Sequence, residues 1–302
     1  MSIIFGTTNS DGSGSSSDLN ESNGIAINAG EGSSDGVNYE IKGEGDYGFP
    51  FTSIEVDSDT WNGDDSKEIK IDESADYIKV DNFVDVQITN SATEGFSHIE
   101  VLNVKRGQID TSASDSDDSI VLGVNANNDH WSNEFTIDSG AGSDMIKMAN
   151  VNNSKYTEFD IDAGEGSDTV DVSGLEEAAS SSQTRHIDGG EGLDFLVTNG
   201  DSTIEFEGFE VVQGNGFDQT LTLDSELLAD NADVSLGLVV SNIDVEFSDD
   251  ISGYEVSELS DAQQEYIDDL GFDTDDFSVV TVTTEDGNEY SLLTDDSSYA
   301  AM

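Results

Sequence analysis

Apolar and polar residues alternate along much of this chain in short segments, which is the pattern of strands that bury one face. Between residues 69 and 104 such segments follow one another closely: IKI at 69–71, YIKV at 77–80, VDVQI at 84–88 and HIEVLNV at 98–104. The period is two throughout, and turn-forming residues separate the segments. The pattern therefore predicts an all-β protein.

A ten-residue pattern occurs three times in the middle of the chain. It reads IDSGAGSDMI at 137–146, IDAGEGSDTV at 161–170 and IDGGEGLDFL at 187–196, and a weaker copy, QGNGFDQT, follows at 213–220. The residue before the first glycine of each copy lies at 139, 163, 189 and 213, in steps of 24, 26 and 24 residues. A near-constant period of this length is typical of a solenoid, in which each repeat is one coil stacked on its neighbours.

The residues inside one copy indicate a metal loop. Two glycines two positions apart allow a positive φ and a sharp bend, which should leave carbonyl oxygens pointing into the bend. Aspartates before and after the glycines add carboxylates, and oxygen ligands of both kinds suit Ca²⁺. The predicted metal residues are Asp138, Gly140, Gly142, Asp144, Asp162, Gly164, Gly166, Asp168, Asp188, Gly190, Gly192, Asp194, Gly214, Gly216 and Asp218.

The third copy identifies a family resemblance. Residues 189–197, GGEGLDFLV, match the calcium-binding nonapeptide G-G-x-G-x-D-x-U-x at every defined position, so the chain resembles RTX repeat proteins, including type I-secreted bacterial surface-layer and matrix proteins. The first two copies lack only the first glycine, and the fourth also has Thr220 at the apolar position. RTX rolls usually carry two motifs per coil. One motif in about 25 residues favours a wider parallel β-helix with calcium on one edge.

These patterns divide the chain into three predicted parts. Residues 1–24 combine a short apolar strand, IIF at 3–5, with a Gly/Ser linker, and they form a possible assembly arm. Residues 25–223 form the calcium-binding parallel β-solenoid, in which Asp115, Asp117 and Asp118 mark an eroded coil without glycines. Residues 224–302 form a small β-rich domain or cap, with one helix at 260–271 and a β-hairpin after it.

Composition narrows the classes of function. The 302 residues carry 9 basic and 67 acidic side chains, a net charge of −58, and no Lys or Arg follows Arg185. Such a charge repels nucleic acid and anionic membrane, and it requires divalent cations or high salt to compact. Halophilic solvation is an alternative explanation of the acidity, but it does not by itself account for the glycine-aspartate loops. The chain has no cysteine and no apolar run long enough to span a membrane.

Localisation follows from the resemblance. No Sec-type signal peptide is visible at the N-terminus, and RTX-like proteins leave the cell by type I secretion with an uncleaved C-terminal signal. The resemblance therefore implies an extracellular or cell-surface protein, and the acidic tail is compatible with such a signal.

The sequence disfavours an enzyme. It contains no H-E-x-x-H, no G-x-S-x-G and no cysteine nucleophile, and its two arginines, Arg106 and Arg185, are few for a lyase of acidic sugars. We expect a Ca²⁺-binding structural protein that self-assembles into a surface layer, filament or matrix, with cell-surface polysaccharide as a second expected partner. The alternative is a calcium-rigidified adhesin or glycan-binding module, in which Trp61 and Trp131 could line a sugar site.

Overall fold

A computed structural model describes residues 26–29, 37–43, 52–58, 67–72, 75–81, 83, 85–91, 96–113, 115–124, 133–148, 154–180, 182–216, 219–231 and 236–299. Four features predicted from the sequence lie outside these residues: the N-terminal strand, Asp218, Trp61 and Trp131.

The described residues are mostly strands. In chain order these are β1 (Ala26–Ala29), β2 (Val37–Gly43), β3 (Thr52–Ser58), β4 (Lys67–Asp72), β5 (Tyr77–Asp81), β6 (Asp85–Thr89), β7 (Phe96–Val104), β8 (Arg106–Asp110), β9 (Asp117–Val124), β10 (Asn133–Asp138), β11 (Ala141–Gly142), β12 (Met145–Met148), β13 (Thr157–Asp162), β14 (Glu165–Gly166), β15 (Thr169–Asp171), β16 (Arg185–Asp188), β17 (Glu191–Gly192), β18 (Phe195–Thr198), β19 (Glu205–Glu207), β20 (Val211–Gly214), β21 (Thr220–Leu223), β22 (Leu238–Ser241), β23 (Asp244–Phe247), β24 (Ile251–Ser257), β25 (Ser278–Thr284) and β26 (Glu289–Thr294). Two α-helices, α1 (Ser225–Asp230) and α2 (Asp261–Asp269), accompany them, with 3₁₀ turns at Ser154–Tyr156, Thr274–Asp276 and Ser297–Tyr299.

The strands form a parallel β-solenoid, as predicted. The first sheet has the order β1-β4-β6-β8-β10-β13-β16-β19, and the second has the order β2-β3-β5-β7-β9-β12-β15-β18-β20-β22-β26-β25-β24. From β3 to β20 the chain passes alternately between these two sheets, so each coil adds one strand to both, whereas β1–β4 and β2–β3 pair antiparallel. Asn133 pairs with Thr157 and Phe159 pairs with Arg185, which are the 24- and 26-residue steps of the sequence repeat. The solenoid has about six coils.

In-register pairing stacks like residues into apolar columns between the two sheets. One column from each sheet faces inward, and each residue in it is at most 3% exposed. Burying such a side chain contributes about 1.5–3 kcal/mol, so the two columns supply much of the folding free energy. They consist of Ile71, Ile88, Ile109, Ile137, Ile161, Ile187 and Phe206 in the first sheet, and Ile78, Ile99, Ile120, Ile146, Val170, Leu196, Val212 and Val240 in the second.

The C-terminal residues continue the second sheet. Strand β22 pairs in parallel with both β20 and β26, and β25 and β24 then add antiparallel strands, including the predicted hairpin. Helix α2 covers the outer face of this region, where Ile267 packs with Val211 and Val239. Ser260 caps it in a capping box, and Gly271 follows its end with φ +85°, as predicted. The described residues contain no helix long and apolar enough to cross a membrane.

Candidate metal sites along the glycine edge

Three glycine loops stack along one edge of the solenoid, where the chain passes from the first sheet to the second. We call residues 139–144, 163–168 and 189–194 the glycine edge. Each loop contributes one two-residue strand, and these strands, β11, β14 and β17, form a small parallel sheet of their own. The loops therefore keep the coil-to-coil register of the two main sheets.

Glycine is required in these loops for both its backbone conformation and its size. Gly164 and Gly166 have φ of +96° and +146°. A Cβ atom on Gly164 would lie 1.8 Å from the carbonyl oxygen of Gly140, and one on Gly166 would lie 1.5 Å from that of Gly142. No side chain fits such an approach, so the glycine spacing is a condition for stacking the coils.

The loop carbonyls point along the stack. The backbone N–H of Glu165 donates to the Gly140 oxygen at 2.7 Å, and that of Glu191 donates to the Gly164 oxygen at 2.8 Å. Sequence reasoning expected such oxygens to point into the bend of their own loop. The two oxygens instead join successive coils, and each keeps a second lone pair that can serve a cation.

The second aspartate of each copy belongs to a continuous row of acids. We call Asp118, Asp144, Asp168, Asp194 and Glu210 the carboxylate ladder, because the backbone N–H of each of the four aspartates donates to the carboxylate one coil further on. The distances are 2.7 Å from Asp118 N to Asp144 Oδ1, 2.6 Å from Asp144 N to Asp168 Oδ1, 2.8 Å from Asp168 N to Asp194 Oδ1, and 2.7 Å from Asp194 N to Glu210 Oε2. One carboxylate oxygen of each acceptor is thereby occupied.

The other oxygen of the ladder aspartates lacks a donor. Asp144, Asp168 and Asp194 are at most 3% exposed, and no donor in the described part of the chain reaches their Oδ2 atoms. A buried carboxylate oxygen without a partner is costly, since its hydration is lost and not replaced. Such an atom in a native fold calls for a proton or a cation.

Burial shifts the titration of these acids. It raises the pKa of Asp144 to about 7, that of Asp168 to about 6 and that of Asp194 to about 7, and the charges of neighbouring carboxylates add to the rise. The N–H bond to each carboxylate, joined at Asp144 by the Ser139 hydroxyl, opposes the rise but does not offset it. At neutral pH the edge therefore holds charge that the surrounding protein does not stabilise.

The first aspartate of each copy has a different position. Asp138, Asp162 and Asp188 end the strands of the first sheet and are in register with one another. Partial burial and repulsion within this column raise the pKa of Asp138 and Asp162. Asp188 Oδ1 accepts the N–H of Gly190 at 2.9 Å, so this carboxylate also shapes its own loop. The column places a second row of negative charge beside the ladder.

The fourth copy does not join the stack in the described residues. Gly214 is the last residue of β20 and pairs with Thr198, and Gly216 has φ +154° in the loop that follows. The ladder position of that coil is taken by Glu210, three residues after β19. Glu210 precedes Val211-Val212 as Asp194 precedes Phe195-Leu196, which is the sequence signal that could have identified it.

The edge fits a hard divalent cation. No three His, Cys, Asp or Glu side chains converge as a metal cluster in the described residues, so the ligands would be paired ladder carboxylates together with loop carbonyls. Such a site needs buried oxygen atoms that lack hydrogen-bond partners, and the ladder has them. Its side chains also offer no nitrogen or sulfur ligand. Ca²⁺ accepts this irregular oxygen set more readily than Mg²⁺, which demands a strict octahedron.

Arg185 and His186 both bond to acidic side chains of the protein. Arg185 is fully buried and forms an ion pair with Asp201, so it is not available to a substrate. His186 lies between Asp160 Oδ1 at 3.0 Å and Glu207 Oε1 at 3.2 Å. Burial alone would lower the pKa of His186, but these two hydrogen bonds outweigh it and raise the pKa. An acidic pocket of about 240 Å³ adjoins His186 and includes Glu207 and Asp224.

No protein-family model, curated protein or solved structure matches this chain. The likeness to RTX repeats therefore depends on the motif residues themselves.

Proposed function

We propose that this chain is a secreted calcium-binding structural protein that self-assembles outside the cell into a surface layer, filament or matrix. The observation that carries the proposal is the carboxylate ladder, a row of buried aspartates whose second oxygens lack donors. A cation held between successive coils supplies the missing partner and cancels the repulsion between ladder charges. Calcium then acts as the cross-link between coils that a cysteine-free chain otherwise lacks.

The net charge of the chain and the low concentration of free Ca²⁺ in a cytosol explain why folding would await export. At −58 the chain repels itself, and free Ca²⁺ in a cytosol is too scarce to fill weak sites. Extracellular calcium modules bind with dissociation constants on the order of 10⁻⁴ to 10⁻³ M. Millimolar Ca²⁺ outside the cell would fill such sites and couple binding to folding.

Self-association is supported by the edge of the second sheet. Strand β24 ends that sheet, and no other strand of the described residues pairs with its outer side. Tyr254 in this strand is 52% exposed. An unpaired edge strand is a template for a strand from another chain, and bound Ca²⁺ would relieve repulsion between acidic subunits.

A calcium titration of EDTA-treated protein tests the proposal. Circular dichroism should show β-structure rising with Ca²⁺ in the millimolar range, and light scattering should show particle size rising with it. Mg²⁺ at the same concentration and NaCl at the same ionic strength are the controls. Folding in NaCl alone, with no further response to Ca²⁺, would identify the acidity as halophilic solvation and refute the proposal.

An adhesin or glycan-binding module is the second candidate, and a ring cluster on the second sheet favours it. The Tyr77 and His98 rings stack at 5.6 Å between centroids, and Phe96 lies nearly parallel to His98 while remaining 58% exposed. Glu100 accepts from Tyr77 and contacts His98 and Lys79. Exposed rings beside fixed polar groups can hold a sugar. Binding to a glycan array by protein that remains monomeric in Ca²⁺ would favour this candidate.

A further inference from the structure

The second sheet begins and ends with a strand that is paired on one side only. In its strand order β2 comes first and β24 comes last, and each of them has seven residues. Among the described residues β2 pairs with β3 alone, and β24 pairs with β25 alone. Each strand therefore presents one row of backbone N–H and C=O groups that the described part of the chain leaves unpaired. Such a row can accept a strand from another molecule.

The first sheet ends differently on the C-terminal side. Its last strand is β19, and helix α1 packs against this strand. Leu228 of α1 is buried in the core between the two sheets. A helix thus follows the last strand of the first sheet, whereas the second sheet ends in the open strand β24. A second molecule that extends the solenoid at this end would therefore pair with the second sheet.

The C-terminal end also exposes an aromatic side chain beside the core. Tyr254 in β24 is 52% exposed, and its ring contacts those of Phe247 and Tyr299 at 5.6 and 5.3 Å between centroids. Tyr299 belongs to the core between the two sheets, and the half-buried Val256 of β24 packs against the same core. A large aromatic side chain held in place by its neighbours is the kind of residue that anchors a protein interface.

The directions of the two edge strands suit a head-to-tail arrangement. β26 runs parallel to β22, and β25 and β24 each reverse the direction once, so β24 runs in the same direction as the solenoid strands. β2 is antiparallel to β3 and therefore runs against that direction. When two copies share one axis and one orientation, β24 of the first lies antiparallel to β2 of the second. Antiparallel pairing is slightly the more stable of the two kinds.

Charge also distinguishes the two ends. β2 carries one acidic and one basic residue, and β4 carries two of each, so both strands are neutral in a chain of net charge −58. No lysine or arginine follows Arg185, and exposed Glu255 and Glu258 lie in and next to β24. Two β24 strands side by side would oppose carboxylates. β24 beside β2 instead brings Glu255 close to a strand that contains Lys42, and opposite charges on paired strands stabilise the pairing.

We propose that copies of this chain join head to tail, with β24 of one copy pairing antiparallel with β2 of the next. The second sheet then continues from one copy into the next. The two surfaces differ, so the contact is heterologous, and a heterologous contact that does not close into a ring produces an open fibre. The inference rests on the proposed function, because it names the surfaces through which the self-assembling protein would join and selects the filament among its possible forms.

Cross-linking of single-cysteine variants identifies which ends meet, since the chain has no cysteine of its own. Asn38→Cys lies in β2 and Ser257→Cys lies in β24, and neither change removes a charge. In Ca²⁺ and a short bis-maleimide, a mixture of the two variants should give covalent dimers, and each variant alone should give almost none. Ser180→Cys, exposed in a loop between the two ends, is the matched control and should give none with either partner.

The other occupants of the β24 edge give different products. Dimers of Ser257→Cys alone would show that two β24 strands pair with each other. Dimers of Ser257→Cys with Ile4→Cys, but not with Asn38→Cys, would show that the N-terminal residues take the place of β2. Either result overturns the inference, as do particles that form without any cross-link between positions 38 and 257. Wild type that stays monomeric in Ca²⁺ would instead refute the proposed function.

A charge reversal tests the pairing without a cross-linker. Glu255→Lys should raise the protein concentration at which particles appear severalfold, because a lysine then faces the strand that contains Lys42. Adding Lys42→Glu to the same chain should restore the wild-type value. Glu265→Lys makes the same change of net charge on the exposed face of α2 and should not raise that concentration. An equal rise in both single variants, or no rescue by Lys42→Glu, would overturn the assignment of these two edges.

Discussion

Aspartates are buried both at the glycine edge and in the C-terminal region, with opposite electrostatic consequences. Asp168 at the edge is fully buried with one N–H donor, and burial raises its pKa to about 6. Asp296 in the C-terminal region is 5% exposed, but one oxygen accepts Val245 N and the other accepts the N–H and hydroxyl of Ser298. Burial would raise the pKa of Asp296, yet these bonds outweigh it and lower the pKa. The number of hydrogen-bond donors, and not the degree of burial, decides whether the pKa of a buried aspartate is raised or lowered. It therefore distinguishes a candidate metal ligand from an aspartate with a structural role.

Removing calcium should produce the largest difference in local stability between the glycine edge and the C-terminal region. Each site at tenfold its dissociation constant stabilises the fold by about 1.4 kcal/mol, so several sites together contribute several kcal/mol. In excess EDTA, hydrogen exchange should become fast at residues 163–168 and remain slower in β25 and β26. Equal exchange in both regions, with and without EDTA, would remove the distinction.

Gly166→Ala should strongly destabilise the stack of glycine loops. It combines a φ of +146° with a Cβ atom 1.5 Å from the Gly142 oxygen, and we expect a loss of about 3 kcal/mol in the free energy of unfolding. Gly253→Ala in β24 is the control, because Gly253 lacks a positive φ and nothing lies within 4 Å of its Cβ position. Urea unfolding in saturating Ca²⁺ measures both. Similar losses in the two variants would show that stacking is not the constraint.

Asp168→Asn and Asp296→Asn should shift stability in opposite directions without calcium. The amide at 168 keeps an oxygen for Asp144 N and removes a buried charge, so apo stability at pH 8 should rise by about 1–2 kcal/mol. The amide at 296 turns an NH₂ group toward a backbone or hydroxyl donor, which should cost about 1–3 kcal/mol. Circular dichroism in EDTA, which reports the folded fraction of the calcium-free chain, compares the two. A loss in both variants would mean that the ladder charge is already compensated.

The pH dependence of stability should change sign with calcium. The folded pKa of Asp144 and Asp194, about 7, lies above the unfolded value near 4, so their contribution is fully present below pH 4 and is lost as pH rises through 7. Calcium-free protein should therefore gain about 3 kcal/mol between pH 8 and pH 6, roughly half of it from each aspartate. Calcium-saturated protein should lose stability over that range, because protons compete for the same oxygens. Chemical unfolding at the two pH values, with Ca²⁺ or EDTA, checks the reversal.

The sequence predicted the fold further than it predicted the site. The 24- and 26-residue steps reappear as strand register, and Ser260 and Gly271 bound helix α2 as expected. Helix α1 was missed because six residues carry too little periodicity to be recognised. Its start depends on the carboxylate of Asp224, which accepts the N–H groups of Glu226 and Leu227.

The carboxylate ladder could not be predicted from single motifs. The glycine spacing identified Asp144, Asp168 and Asp194, but their hydrogen bonds join different coils, and only the register shows which carboxylate meets which N–H. For the same reason Glu210 was missed, since it takes a ladder position without a glycine loop. Which oxygen remains without a donor depends on side-chain packing that no local pattern records.

Coil-to-coil pairing also makes the molecule adjustable in length. Asp138 and Asp162 occupy the same position in successive coils, so excising residues 139–162 would join Asp138 to Ala163 in an unchanged loop. The shortened chain keeps every type of contact and loses one layer, about 4.8 Å along the axis. Duplicating the same block would lengthen it by the same step. A gene that gains or loses such blocks by recombination can therefore change the length of its solenoid by whole coils and leave the remaining coils unchanged.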